Sequence, residues 1–286
     1  MTELDGVATR RRAGRTEKVL VQRVGPDQTG GRSPDELIVE EPLSIQLDGT
    51  LVATTMRTPG HDFELAAGFC FAEGLLGDAT IRGCRYCGTG PAAETEFNAV
   101  TVETGGMAPP PTARLGTTSS SCGLCGSASI DDLTARLQPL DGVDPFPIDL
   151  LVALPDRAVA QQPLFARTGA VHAAAAFDRS GELVLLREDI GRHNAVDKVV
   201  GRLLLDGRVG TAGTRATGAA TPADMALYVS GRASFEMVQK AWAAGFAAVV
   251  AVSAPSALAV RTATIAGLQL AGFARGDRLN LYVSGL

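Results

Sequence analysis

Lysine is almost missing from this chain: Lys18, Lys198 and Lys240 stand against 23 arginines. Basic residues together do not exceed acidic ones, with 26 Lys+Arg against 31 Asp+Glu and a formal charge of −5. A protein that tracks a phosphate backbone needs a basic stripe, so this balance argues against nucleic acid as the main partner. Long apolar runs are lacking too. The longest, at 241–252, falls short of the roughly 18 residues that a membrane-spanning helix requires. Arg10, Arg11, Arg12 and Arg15 near the start have no apolar stretch behind them, so a secretory signal is not expected and the cytoplasm is the expected compartment. Cysteines number five, too few and of the wrong parity for a disulfide scaffold.

What is present describes a globular protein. A length of 286 residues allows one large domain or two ordinary ones. The first 36 residues are polar, rich in Gly and Arg, and predict a disordered arm. From 37 to 55, short alternating runs flank Asp48-Gly49, a tight-turn pair that predicts a hairpin. DFELAAGFCFAEGLL is apolar on most faces and too long for a strand, which predicts a buried helix over 62–76 closed by Gly77. A polar stretch with Gly105, Gly106 and Pro109, Pro110 and Pro111 reads as a linker, giving a smaller α+β domain at 37–115 and a second domain at 116–286. In the second, apolar runs at 183–186, 225–229, 246–252 and 268–273 alternate with helical patterns, which predicts an α/β layer. The insert at 210–222 reads as a surface loop.

Three strand-to-helix junctions in that layer share one design: Asp189-Ile-Gly-Arg-His-Asn, Gly231-Arg-Ala-Ser and Ala254-Pro-Ser. Ligands of open α/β sheets sit beyond the carboxyl ends of the strands, where helix N-termini offer unpaired N–H groups and partial positive charge. Arg192, His193, Lys198 and Arg232 add fixed or potential cations, and Ser234 is placed to cap the second helix. An anionic ligand fits such a crevice. The same residues also serve as ordinary turns and caps, and His61 and His172 read as satisfied polar residues.

Four of the five cysteines form two C-x-x-C pairs, Cys84/Cys87 and Cys122/Cys125, while Cys70 is isolated. A four-cysteine zinc site is one reading, although the 34 residues between Cys87 and Cys122 exceed the usual ribbon spacing. A hydrolytic deaminase needs H-x-E and P-C-x-x-C. Here Ser121 replaces the proline and no histidine carries the Glu at that spacing, so the proton shuttle is missing. Thiol or persulfide chemistry needs only an accessible thiolate, and SSSCGLCG at 119–126 supplies a glycine-flanked pair.

SSSCGLCG, EEPLSI, TPGHDFELAAGF, TGAVHAAA, REDIGRHNAVDKVVG and SGRASFEMVQKAW closely resemble the blocks of the FdhD/NarQ family, the formate dehydrogenase accessory sulfurtransferases. The resemblance runs from about Glu40 to the C-terminus. It implies a cytidine-deaminase-like α/β domain with a smaller N-terminal α+β domain, and a homodimer. It implies a sulfurtransferase that accepts sulfur as a persulfide from a cysteine desulfurase and passes it to the bis-molybdopterin guanine dinucleotide form of the molybdenum cofactor for formate dehydrogenase. By motif, Cys122 resembles the persulfide-bearing cysteine and Cys125 its partner, and the family's cofactor-binding loop falls on Phe273, Ala274, Arg275, Gly276, Asp277 and Arg278. Independently, Gly276 between two arginines is suited to present backbone and cations to phosphate. GDP is then a partial mimic of the cofactor, whose guanines would occupy flanking pockets. The alternatives from other classes are a cofactor-binding chaperone that moves no sulfur, and the four-cysteine zinc protein. Cys84 lies outside the family signature and leaves a secondary redox or metal role open.

Overall fold

A computed structural model describes residues 14–25, 31–87, 97–110, 135–210 and 220–285. In these, alternating sequence becomes three sheets and six helices. β1 (Thr16–Gln22) and β2 (Arg32–Ile38) pair as an antiparallel ribbon. β3 (Glu41–Leu47) and β4 (Thr50–Arg57) form the expected hairpin, and both turn residues, Asp48 at φ 47° and Gly49 at φ 85°, take the left-handed conformation its twist requires. α1 (Asp62–Ala72), β5 (Gly83–Tyr86) and β6 (Ala99–Glu103) complete a sheet of order β4-β3-β6-β5. Its core is Leu43, Ile45, Leu47, Leu65, Val100 and Val102.

The ribbon corrects the expected arm over 14–25 and 31–36. Strand pairing there is satisfied by main-chain hydrogen bonds and needs no apolar face of its own. Arg167 then pins it, donating from Nε to Glu36 (2.9 Å) and from Nη2 to Thr16 (2.9 Å), while Arg15 donates to the Glu188 carbonyl. α1 also ends earlier than expected. Gly74, at φ 72°, turns the chain out of the helix, and Leu75 N–H reaches back to the Cys70 carbonyl. Gly74 thus performs the stop assigned to Gly77.

The larger layer is built from α2 (Ile148–Val159), α3 (Pro163–Thr168), β7 (His172–Asp178), β8 (Leu183–Asp189), α4 (Arg192–Leu205), β9 (Met225–Val229), α5 (Phe235–Ala244), β10 (Ala248–Ala251), α6 (Ala257–Ala266), β11 (Gln269–Arg275) and β12 (Arg278–Val283). Its sheet has the order β12-β11-β10-β9-β7-β8. β9, β10 and β11 are parallel, and β7 is antiparallel to both β9 and β8, so β8 also points with β9. Strand periodicity separates two cores. Met225, Leu227 and Val229 face α4, α5 and α6, whereas Ala226 and Tyr228 face Leu151 and Leu154 of α2.

The two large sheets are joined where α1 crosses α4. A Cβ on Gly68 would lie 1.9 Å from the Asp197 carbonyl oxygen, and one on Gly201 would lie 1.8 Å from that of Glu64. Only glycine at both positions permits this approach. The four-stranded sheet falls within 37–115 and the six-stranded one within 116–286, while the division itself lies outside the described residues. Among the described residues, no helix is long and apolar enough to cross a membrane.

Candidate functional site

Because β8, β9, β10 and β11 run the same way, their carboxyl ends open on one edge of the sheet, with the start of β7 between β8 and β9. The three helices α4, α5 and α6 begin there, behind Gly191, Ser234 and Ser256. Backbone contacts stitch the junctions into one rim: Ser253 N–H donates to the Gly231 carbonyl (3.2 Å), Ser256 to Ala233 (3.1 Å) and Phe273 to Ser253 (3.2 Å). Gly231 keeps the centre open, with His172 and Arg192 within 4 Å of where its Cβ would stand. The rim therefore gathers Arg192, Arg232, Ser234 and the β11–β12 turn.

Two polar atoms on this rim are orphaned. Arg192 Nε and Ser234 Oγ are buried without a hydrogen-bond partner among the described residues. Ser234 occupies the N-cap position of α5, yet its side chain makes no cap bond, contrary to expectation, whereas Ser256 accepts from Ala259 N–H at 3.1 Å. Buried polar groups are nearly always paired, so an unpaired guanidinium nitrogen and hydroxyl beside helix N-termini suit an anion. In the β11–β12 turn, Arg275, Gly276, Asp277 and Arg278 are exposed, and Arg275 pairs with Arg278 across the ladder. Phe273, at φ 52°, is exposed as well, but Ala274 is fully buried in the α2-side core. The register shift between Gly272 and Arg275 turns the Phe273 side chain outward and the Ala274 methyl inward, which leaves only the main chain of Ala274 to meet a ligand.

Two expected cations are instead engaged below the rim. Lys198 has no exposed surface; its Nζ donates to Asp189 Oδ2 (2.6 Å) and to the Thr58 carbonyl (3.0 Å). Six residues beyond Arg192 on a helix is roughly 9 Å down the axis and on another face, which removes Lys198 from the crevice. Asp189 also accepts from Gly191 N–H (2.8 Å), Asn194 Nδ2 (3.0 Å) and Thr58 N–H (3.2 Å), which fixes the turn that carries Arg192. His193 pairs through Nε2 with Glu236 of α5, and this hydrogen bond holds the Glu236 carboxyl below its ordinary range. One turn further along, Lys240 pairs with Asp197 (2.7 Å) and approaches Glu73 (3.6 Å). His193 thus tops an interhelical charge ladder.

Sequence reasoning missed His172. It opens β7 on the rim, with Nδ1 3.4 Å from Ser230 Oγ, and burial, reinforced by the charges of Arg192 and His193, pulls its pKa down. Nothing local signals this, because the placement of β7 between β8 and β9 is tertiary.

Cys122 and Cys125 lie outside the described residues. The chain flanking their segment approaches the other end of the layer: Pro109 lies against Gly77, Arg136 donates to the Ala72 carbonyl (3.1 Å), and Trp242 donates to the Gln138 carbonyl (2.8 Å). Leu140 N–H bonds the Ala266 carbonyl, at the C-terminus of α6. The other thiols are packing residues. Burial pushes Cys84 up to about 11 and Cys70 higher still, and Cys87 donates to Gln46 at 3.3 Å. A thiol held protonated is a poor nucleophile, which weighs against a redox role for Cys84.

Fold and rim together define a mixed α/β protein whose six-stranded sheet carries a cationic edge with three helix N-termini. The FdhD/NarQ family model matches residues 38–285, and the chain belongs to that family. It is 48% identical over 265 residues to the sulfur carrier protein FdhD of Anaeromyxobacter dehalogenans strain 2CP-C, covering 90% of each chain. Against the protein of the same name from Streptomyces avermitilis it is 47% identical over 275 residues, covering 93% of each. Against that from Mycobacterium tuberculosis strain H37Rv it is 43% identical over 272 residues, covering 92% of this chain and 94% of the other. In fold it is similar to the crystal structure of a putative formate dehydrogenase accessory protein from Desulfotalea psychrophila. There the TM-score is 0.67 at 24% identity, covering 94% of this chain and 96% of that one.

Proposed function

We propose that this protein is a sulfur carrier serving formate dehydrogenase: Cys122 accepts a persulfide sulfur and the sheet rim holds the molybdenum cofactor that receives it. The observation that carries the rim's role is the orphaned pair Arg192 Nε and Ser234 Oγ beside three helix N-termini. The names of the relatives support the sulfur chemistry. In the loading step, the Cys122 thiolate attacks the outer sulfur of a cysteine desulfurase persulfide. A new S–S bond forms at Cys122, the donor's S–S bond breaks, and the donor cysteine leaves as thiolate. Cys125 is the partner thiol. Eleven residues lie between Pro110 and Cys122, a contour of roughly 40 Å from one to the other, against about 15 Å for the ten-residue α5 that spans the layer. The tether is long enough to serve both ends.

The cofactor, as substrate, is a bis-molybdopterin guanine dinucleotide whose phosphates meet Arg192, Arg232, Arg278 and the backbone at Gly276. Its sulfuration supplies the active metal centre of the client. A cytidine-deaminase-like fold for the larger domain is supported by the order β11-β10-β9-β7-β8 with β7 reversed, and by crossover helices on one face. A homodimer in the cytoplasm completes the proposal.

After incubation with desulfurase and cysteine, mass spectrometry should find one added sulfur on Cys122. In Cys122→Ala, client activation should vanish while the fold persists. A fully activated client would overturn sulfur transfer and leave a cofactor-binding chaperone. GDP, as a mimic, should bind, and Arg232→Ala or Arg278→Ala should weaken it by about 1–3 kcal/mol with loading of Cys122 unchanged.

A further inference from the structure

The charge ladder below the rim takes no part in sulfur transfer, and its charges do not balance. On α4, His193 and Asp197 stand one helical turn apart, and on α5 Glu236 and Lys240 do the same. His193 pairs with Glu236, while Lys240 pairs with Asp197 (2.7 Å) and with Glu73 (3.6 Å), the residue that caps the C-terminus of α1. Three carboxylates thus gather around one ammonium and one imidazole. Water does little to dilute this, since Asp197 is 2% and Lys240 4% exposed. The backbone of Gly68 in α1 seals the Asp197 carbonyl, and the Phe69 ring lies 5.8 Å from Lys240 Nζ.

Asp197 has the most deeply buried side chain of the three acids. Burial pushes its carboxyl up to about 6 against the pull of Lys240, Glu73 adds to the rise, and His193 opposes it. Burial also works against the charge on Lys240, but Asp197, Glu73 and Glu236 outweigh it and keep the ammonium. From α1 the cluster is faced by the Cys70 thiol, which burial holds protonated; at the head of α4 stands Arg192, and on β7 is His172, which feels the charge of His193. Among these groups, Asp197 is the acid whose proton is exchanged closest to neutral pH.

The rim bears on that exchange from above. Arg192 and the N-terminal dipoles of α4 and α5 favour the ionised carboxylates, and the Arg192 charge reaches Glu236. An anion seated there cancels this field. Five residues of helix, roughly 8 Å, separate Arg192 from Asp197. At that range a unit charge moves a proton equilibrium by about tenfold or more through an effective dielectric near 20. We propose that Asp197 takes up a proton from solvent when an anion occupies the rim, so that ligand and proton bind together. The inference rests on the reading that the rim holds the anionic part of the cofactor. One O–H bond forms on the Asp197 carboxylate and no electron moves. By reciprocity, acid strengthens retention of the anion and rising pH favours its release.

Calorimetry of inorganic pyrophosphate binding to the full chain, in buffers of different ionisation enthalpy, counts the protons taken up. Pyrophosphate exchanges protons of its own, and that part is common to parent and variants. At pH 6.5 the parent should take up roughly half a proton more per ligand than Asp197→Asn, and at pH 8.5 less than about a tenth more, given a free value of about 6 and a tenfold shift. Between pH 5.5 and 8 the parent should lose roughly five- to tenfold more affinity than that variant. His172→Asn should retain the extra uptake, which separates Asp197 from the histidine on the rim. Infrared difference spectra need no variant: pyrophosphate should raise a protonated-carboxyl band in the parent at pH 6.5. Glu73→Gln, which removes a neighbour that favours the proton, should move the pH of half-maximal uptake downward. Equal uptake in parent and Asp197→Asn, or no carboxyl band in the parent, would overturn the inference while pyrophosphate binding keeps the rim intact. Failure of pyrophosphate to bind at all would overturn the rim reading and this inference with it.

Discussion

Replacing Gly201 by alanine sets two known effects against each other in one helix. Alanine is favoured over glycine inside a helix by about 1 kcal/mol, so an exposed substitution would stabilise α4. At Gly201 the new Cβ would stand 1.8 Å from the Glu64 carbonyl oxygen and 2.7 Å from the Gly68 nitrogen, both backbone atoms of α1. Ordinary contact begins near 3.4 Å, so the helices would have to part by roughly 1.5 Å. Neither is free to do so. α1 is held through Glu64, which takes two hydrogen bonds from Arg187 (2.5 and 2.9 Å), and α4 through Lys198 on Asp189 and Thr58. Overpacking of this kind costs about 1–3 kcal/mol and more where backbone must move. The expected net loss is about 2 kcal/mol, or a fall in Tm of roughly 4–8 °C for a domain of this size, read by circular dichroism. Parting the helices also shifts the first turn of α4, so GDP affinity should fall with it. A Gly201→Ala protein as stable as the parent would refute the close-crossing argument. Gly68→Ala should act alike, and the two together should cost less than their sum, since both relieve the same contact.

Lys198→Met removes the partner of a fully buried carboxylate and should destabilise by about 3–5 kcal/mol in urea unfolding; adding Asp189→Asn should recover part of the loss, and a loss under 1 kcal/mol would mean the ammonium is not needed there. For Glu64, burial alone would raise the pKa, but hydrogen bonds from Arg187 and His61 hold it at about 2 against an ordinary 4.5. The unfolded chain therefore binds the extra proton between those values, and stability present above pH 4.5 is lost as pH falls toward 2. Urea midpoints across that range should fall less steeply for Glu64→Gln than for the parent, and parallel curves would contradict the assignment.

Local chemistry made several elements legible. Asp48-Gly49 dictates a hairpin because both residues tolerate positive φ, and FEMVQKAWAA reads as a helix because Ser precedes it and Gly245 ends it; the structure has α5 over the same ten residues. The strand-to-helix junctions were legible because strand and helix periods alternate there, and parallel strands necessarily bring such junctions to one edge. Which side chains reach that edge was not. Lys198 and Arg192 share a helix, yet only the packing of α4 against β4 and β8 turns the lysine inward onto Asp189. His172 looks like an ordinary polar residue in sequence, and it reaches the rim only because β7 inserts between β8 and β9. The β1–β2 ribbon is a tertiary result as well, since its polar strands gain their order from main-chain pairing and from Arg167, 131 residues away from Glu36. Sequence alone determined the periods, the turns and the motif blocks, because those depend on neighbours along the chain; the rim, its orphaned donors and the buried charge ladder depend on which faces meet, and that only the packed structure decides.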